Sequence, residues 1–319
     1  MVSGLHGLFP ADLTARLLVG LDPPDDAAVY ELGGAALIFT ADFFPPVVDD
    51  AYLYGAIAAN NALSDIFAMG GRPLLALNLA AFPDDMPPEV AAAILRGAAE
   101  QARGAGAVVA GGHTATATEP SFGLAVLGTA APEELVRKGG ARPGDRIVLT
   151  KPLGTGVITT AGKHGTVLPE AMRAAVAGMT ATNAVAAEAA RAASVRCGTD
   201  VTGFGLLGHA HELAAASGAR LVLRADALPL LPGALHHAGL GDFPGGAARN
   251  AEYFGPHTEL GAAVDPLVRR LGFSPETAGG LLLCIPPHAA PAFLARCAAA
   301  GVHPATIGEV MAGHGLRLD

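Results

Sequence analysis

The stretch DPPDDAAVYELGGAALIFTADFF, residues 22 to 44, sets three aspartates, Asp22, Asp25 and Asp26, directly before an apolar run, with a fourth acid, Asp42, inside the next one. AAVYEL and ALIFTADFF read as strands, because short runs rich in β-branched and aromatic residues fit a pleated, half-buried surface. RPLLALNLAAF, AVVAGGHTATA and SFGLAVLGTA read the same way, all before residue 131. Two helical segments lie between them. One runs from about Ala51 to Met69 with apolar positions at helical spacing. The other, PPEVAAAILRGAAEQARGAG, opens with prolines and an acid and closes at glycine, as helices tend to.

The polar, glycine-rich segment APEELVRKGGARPGDR, residues 131 to 146, interrupts the apolar pattern and marks a domain boundary. Beyond it come the strand RIVLTKP, an alanine-rich helix from about Pro169 to Ala193, the turn and helix of DVTGFGLLGHAHELAAASG, and strands at ARLVLRADAL, GGLLLCIP and ATIGEV. The expectation is a short N-terminal segment over residues 1–16, a first domain over 17–131 and a second over 145–319, both of mixed α+β type. A chain of 319 residues that is 51% hydrophobic can bury two such cores. The formal net charge of −9 argues against nucleic acid or an anionic membrane as partner, since both need clustered Lys and Arg. Three widely spaced cysteines, Cys197, Cys284 and Cys297, fit reduced thiols in a cytoplasm. No basic-then-apolar leader opens the sequence, and the longest uncharged run, from Gly279, is broken by prolines and does not read as a membrane span.

Four acids sit at element edges beside small residues: Asp26, Asp42, Asp65 in NNALSDIFAMGG and Asp200 in CGTDVTGFG. Singly, each reads as a cap or turn residue. As a set they are harder to dismiss, since Asp42 follows a strongly apolar run, and Asp65 lies one helical turn after Asn61, so the two can share a face. If they converge on a polyphosphate, each like-charge pair about 5 Å apart costs roughly 3 kcal/mol at an effective dielectric of 20. Magnesium, a hard ion that takes carboxylate and phosphate oxygens, would have to bridge them. Glycine clusters at GGHT (111–114), PLGTGV (152–157), TGFGLLGH (202–209) and TAGG (277–280) could let backbone amides approach phosphate, although each alone is a weak signal. GTGVITTAGKHG fails as a P-loop, with Val157 and His164 at positions that need Gly and Ser or Thr. His209 and His211, two apart on a helix, point to different faces and share no ion, whereas His113 after a double glycine is a ligand-contact candidate.

Taken in order, DDAAVY, TADFFPPVVDD, NALSDIFAMGGRP, AGGHT with EPSFGLAVLG, LTKPLGTGV, TDVTGFGLLGH, FPGGAARN and TAGGLLL resemble selenophosphate synthetase, also called selenide, water dikinase. The resemblance implies the two-domain fold of aminoimidazole ribonucleotide synthetase, with the N-terminal domain pairing across a homodimer into a β-barrel. It implies conversion of ATP, selenide and water to selenophosphate, AMP and phosphate, supplying selenium for selenocysteine and selenouridine. By motif position, Asp26, Asp65 and Asp200 resemble the magnesium ligands, and Asp42 and Asp65 line the polyphosphate site. Pro23, Pro24 and Asp25 fall where the family contacts ATP, and Gly112, His113 and Thr114 resemble nucleotide contacts lent by the partner subunit. The family's catalytic Cys or selenocysteine, and the Lys three residues after it, have no counterpart ahead of DDAAVY: the first cysteine is Cys197 and the lysines are Lys138, Lys151 and Lys163. No catalytic residue is therefore assigned, and an in-frame UGA upstream of Met1 is the expected explanation. A non-catalytic ATP-binding homologue and a sister ATP-dependent enzyme are the alternatives. SPETAGG carries Ser274 where the family has an acid.

Overall fold

The computed structural model describes Leu5 and residues 7 to 319, so residues 1–4 and 6 of the expected N-terminal segment lie outside the described residues. After a single helical turn, α1 (Ala11–Thr14), the first sheet is built from β1 (Leu17–Val19), β2 (Ala28–Leu32), β3 (Ala35–Phe44), β4 (Arg72–Phe82), β5 (Val108–Thr116) and β6 (Ser121–Ala130). Its order is β1-β2-β3-β6-β4-β5, with only β4 and β5 parallel. Gly33 and Gly34, both at positive φ, turn β2 back onto β3.

Alternation along β3 sends Ala36, Ile38, Thr40 and Asp42 to one face and Leu37, Phe39 and Phe43 to the other. The first face is covered by α2 (Ala51–Ala68) and α3 (Pro88–Gly104). These helices cross closely because each puts a glycine at the crossing: a Cβ on Gly55 would lie 1.9 Å from the Ile94 carbonyl oxygen, and one on Gly97 would lie 2.0 Å from that of Tyr52. The second face is open. Following the register, Tyr30, Phe39, Phe43, Leu75, Leu77 and Val108 stand on it, all exposed.

The second domain holds a seven-stranded sheet of β7 (Arg146–Leu149), β8 (Cys197–Asp200), β9 (Arg220–Leu223), β10 (Thr258–Leu260), β11 (Leu281–Ile285), β12 (Ala305–Met311) and β13 (Gly315–Leu318). Its order is β10-β13-β9-β12-β7-β11-β8, which places β8 and its terminal Asp200 at the edge. The main helices here are α4 (Thr155–Lys163), α5 (Pro169–Thr180), α6 (Ala184–Ala192) and α7 (Gly205–Ser217). The single helix expected over Pro169–Ala193 is thus two. Tertiary hydrogen bonds break it: the Ala181 carbonyl accepts from the Asn60 amide and the Lys151 ammonium, and the Asn183 amide donates to Ser64 Oγ and the Gly279 carbonyl. Alanine content favours helix by tenths of a kcal/mol per residue, which several such bonds outweigh.

α2 is buried almost all round from Tyr54 to Ala68, and its polar Asn60, Asn61 and Ser64 are buried along with the apolar residues, so each requires a hydrogen-bond partner. One apolar core runs from Ile38, Leu124 and Val126 through Leu63 and Ile66 of α2 to Leu283, Ile285 and Phe293 of the second domain. Ile57 joins a separate cluster with Val157, Ile158 and Met179. No helix among the described residues is long and apolar enough to cross a membrane.

Candidate active site

The polar side chains of α2 meet acids from both sheets. Thr40 Oγ1 donates to Asp65 Oδ2 (2.5 Å), Asn61 Nδ2 to Asp42 Oδ2 (2.7 Å) and Ser64 Oγ to Asp200 Oδ2 (2.6 Å). From β8, Thr199 Oγ1 donates to Asp26 Oδ1 (2.7 Å). Asn61 Oδ1 also accepts from the Ala278 amide (2.8 Å), tying the TAGG segment to the same point. The strand alternation explains the convergence: Thr40 and Asp42 share the helix-facing side of β3, and Asn61 and Asp65 share the side of α2 that faces it.

These carboxylates feel one another. Burial, then the charges of Asp200, Asp42 and Asp26, push the Asp65 carboxyl well above the usual range, against the pull of the Thr40 hydrogen bond. Burial and then Asp26 push Asp200 up to about 7. Burial also raises Asp42, although Asn61 opposes it. Asp25 is raised to about 6 by burial and Asp26, and its oxygens accept from the backbone amides of Asp26 (2.9 Å) and Lys138 (3.0 Å). Asp26 Oδ2 is buried with no hydrogen-bond partner.

Two lysines, neither of them expected at a site, stand beside the acids. Lys138 Nζ lies 3.1 Å from Asp26 Oδ1 and 3.2 Å from Glu212 Oε2; burial works against its charge, but these carboxylates hold it above its ordinary value. Lys151 Nζ donates to the carbonyls of Ala181 (2.6 Å) and Ala278 (2.7 Å), and burial lowers it to about 7. Pro23, Pro24 and Lys138 together border two cavities of about 740 and 720 Å³.

The glycine segments separate in role. The amides of Gly154 and Thr155, which open α4, are both taken by Glu276 (2.8 Å each), and Thr155 Oγ1 donates to the same carboxylate at 2.6 Å. PLGTGV is thereby closed to phosphate by a side chain of the protein. Burial pushes Glu276 up to about 7, while its three donors pull the other way. Gly112, His113 and Thr114 lie on the exposed edge strand β5, in register with Asn78, Leu79 and Ala80. The row Asp42, Leu124, Asn78, Gly112 spans three strand spacings, about 14 Å, so these residues do not join the acid cluster within one chain. His209 is buried, with Nε2 3.4 Å from Thr202 Oγ1, whereas His211 stacks on His257, so the two rings point to different faces of α7.

Residues 24–130 match the AIR synthase related protein, N-terminal domain, and residues 142–319 the corresponding C-terminal domain. The selenide, water dikinase of Geobacter metallireducens is 42% identical over 309 residues, covering 96% of this chain and 90% of that protein. That of Myxococcus xanthus is 44% identical, covering 93% and 86%. This chain belongs to the selenide, water dikinase family. Among solved structures, a Thermus thermophilus protein superimposes with a TM-score of 0.74 at 23% identity, covering 98% of this chain and 97% of its own. The thiamine monophosphate kinase of Aquifex aeolicus gives 0.69 at 17% identity, covering 99% and 96%. Both likenesses are of the two-domain α+β fold alone.

Within that family frame, the acids read from the sequence as Asp26, Asp42, Asp65 and Asp200 fall at one junction, with Pro23, Pro24 and Asp25 beside it. The donors that orient them, Thr40, Ser64 and Thr199, carried no sequence signal beyond lying next to the acids or one pleat away. Ser274 is buried, its hydroxyl 3.5 Å from the Pro275 carbonyl.

Proposed function

We propose that this chain makes selenophosphate from selenide, ATP and water, releasing AMP and phosphate, with the nucleotide phosphates at the junction of the two domains. The observation that carries the reading is the meeting of Asp26, Asp42, Asp65 and Asp200 there, in a chain 42% identical to a selenide, water dikinase. Four largely buried carboxylates with so few donors are destabilising unless a cation joins them. Asp26, Asp65 and Asp200 would hold magnesium. The fit rests on hard oxygen donors and on the unpartnered Asp26 Oδ2. Among the described residues no three His, Cys, Asp or Glu side chains are grouped closely enough to hold one ion alone, which suits an ion that takes one or two carboxylates and completes its shell with water and phosphate. Magnesium would neutralise the polyphosphate and orient its oxygens.

The chain's own residues do the rest. Thr40, Ser64 and Thr199 hold one oxygen of Asp65, Asp200 and Asp26, leaving lone pairs free to face a ligand. Buried α2 keeps that set rigid, so alignment requires little reorganisation on binding. Pro23, Pro24 and Asp25 form a wall against which the nucleotide lies.

The reading includes a homodimer. An open sheet face carrying Tyr30, Phe39, Phe43, Leu75, Leu77 and Val108 is an interaction surface by its apolar extent. His113 belongs to the same face, in the row of Phe43, Gly123 and Leu79, so a second copy seated there would bring Gly112, His113 and Thr114 into the interface. Phe39→Glu should shift wild-type dimers to monomers in sedimentation; a monomeric wild type would end this part of the reading.

A nucleotide-binding homologue without turnover is the second reading, favoured by one observation: Cys197, Cys284 and Cys297 are all buried, so no thiol of this chain is placed to handle selenide. Phosphorus NMR of the protein with ATP, magnesium and selenide separates the two. A selenophosphate resonance with AMP supports the first reading, and nucleotide binding without that resonance supports the second.

A further inference from the structure

We propose that Lys138 is the phosphate-binding cation of this site, a counter-ion shared between Asp26 and the nucleotide. The proposal rests on reading the acid cluster as the nucleotide site. Lys138 comes from the segment joining the two domains, and its backbone is pinned on both sides: its amide donates to Asp25 Oδ2 (3.0 Å), and its carbonyl accepts from Ser217 Oγ (3.3 Å) and Cys197 Sγ (3.4 Å). The four-carbon stem therefore swings from a fixed base. Its ammonium ends 3.1 Å from Asp26 Oδ1 and 3.2 Å from Glu212 Oε2, with the side chain 12% exposed.

The other lysines do not compete for this part. Lys151 spends its ammonium on two carbonyls, and Lys163, exposed at the end of α4, lines a separate cavity with Asp42 and Asn61 rather than the two walled by Pro23 and Pro24. Lys138 borders both cavities walled by Pro23 and Pro24, so a short swing of its stem carries the charge into either. Arg137 also lines the first cavity and Arg249 the second. Among the described residues neither forms an ion pair with a cluster acid, whereas Lys138 pairs with Asp26 and lines both of these cavities.

An ammonium at ion-pair distance from Asp26 competes with a divalent cation for that carboxylate. A compact, rotatable point charge also suits phosphate oxygens. When a cation takes Asp26, the freed ammonium finds its next anion on the nucleotide. Binding of metal and of phosphate are thereby linked through one side chain, which a purely structural ion pair would not do.

The test is equilibrium binding. Manganese binding to the nucleotide-free protein is read by electron paramagnetic resonance, and binding of AMPPCP with magnesium by calorimetry. Lys138→Met should bind manganese about tenfold more tightly and AMPPCP about tenfold more weakly, opposite shifts of about 1.4 kcal/mol each. Glu212→Gln, which leaves Lys138 in place but removes one of its two carboxylates, should tighten AMPPCP about threefold, and this variant decides the matter if Lys138→Met does not fold. Unchanged affinities, or shifts of the same sign in Lys138→Met, overturn the role of Lys138 alone. Failure of the wild type to bind AMPPCP overturns the nucleotide site and this proposal with it.

Discussion

Glu276 and the acids of the domain junction are all withdrawn from water, yet donors serve them very differently. Glu276 receives three: two backbone amides and a hydroxyl at the start of α4. Asp65 and Asp42 receive one side-chain donor each, and Asp26 Oδ2 receives none. A saturated carboxylate fastens one part of a fold to another. Carboxylates left short of donors and pressed together instead push one another's pKa upward and leave lone pairs unsatisfied. Burial alone does not separate the two kinds, because it raises Asp65, Asp200 and Glu276 alike.

The comparison breaks most sharply on Asp65→Asn. Thr40 keeps an oxygen to donate to, but the charge is gone, so selenophosphate formation by an active enzyme should fall about a thousandfold, roughly 4 kcal/mol. Its melting temperature should hold or rise, since repulsion from Asp200 and Asp42 is relieved. Turnover within a factor of a few of wild type would place Asp65 with the structural acids instead.

Glu276→Ala should do the reverse. It strands the Gly154 and Thr155 amides and the Thr155 hydroxyl, and chemical denaturation should show a loss of roughly 3 kcal/mol at about 1 kcal/mol per donor. Loss of nucleotide affinity at unchanged stability would make Glu276 a member of the site.

His209 gives the smallest effect. Burial, with a lesser push from Lys138, lowers it to about 3, so the folded protein refuses a proton that the unfolded chain accepts below about pH 6.5. Its contribution is complete above that value and declines as the pH falls toward 3. Between about pH 6 and pH 5 the loss is about 1 kcal/mol, and His209→Gln should flatten that limb of a stability–pH curve. An identical limb in the variant would show that other groups carry it.

Much of this was legible in the sequence for a physical reason. Where one face of an element is buried and the other is not, periodicity shows it, as in β3, β4 and β6, and acids at the ends of such runs stood out against an apolar background. The break between α5 and α6 did not show, because alanine has no way to record the Asn60 and Lys151 bonds that cut in at Ala181. Nor did Lys138, which reads as a solvated linker residue until the fold brings it to an acid 112 positions earlier. PLGTGV stood only as one of several weak glycine signals, and glycine spacing cannot reveal that Glu276, 121 positions away, accepts from the Thr155 amide.

α2 has one more consequence. Asn60 bonds the carbonyls of Met179 and Ala181, Asn61 bonds Asp42 and the Ala278 amide, and Ser64 bonds Asp200, all from one buried helix. A helix of the first domain is thus written in the grammar of the second. A gene that joined the front half of one relative to the back half of another would inherit mismatched partners along this helix, so the two halves are expected to have changed together over their history rather than by exchange.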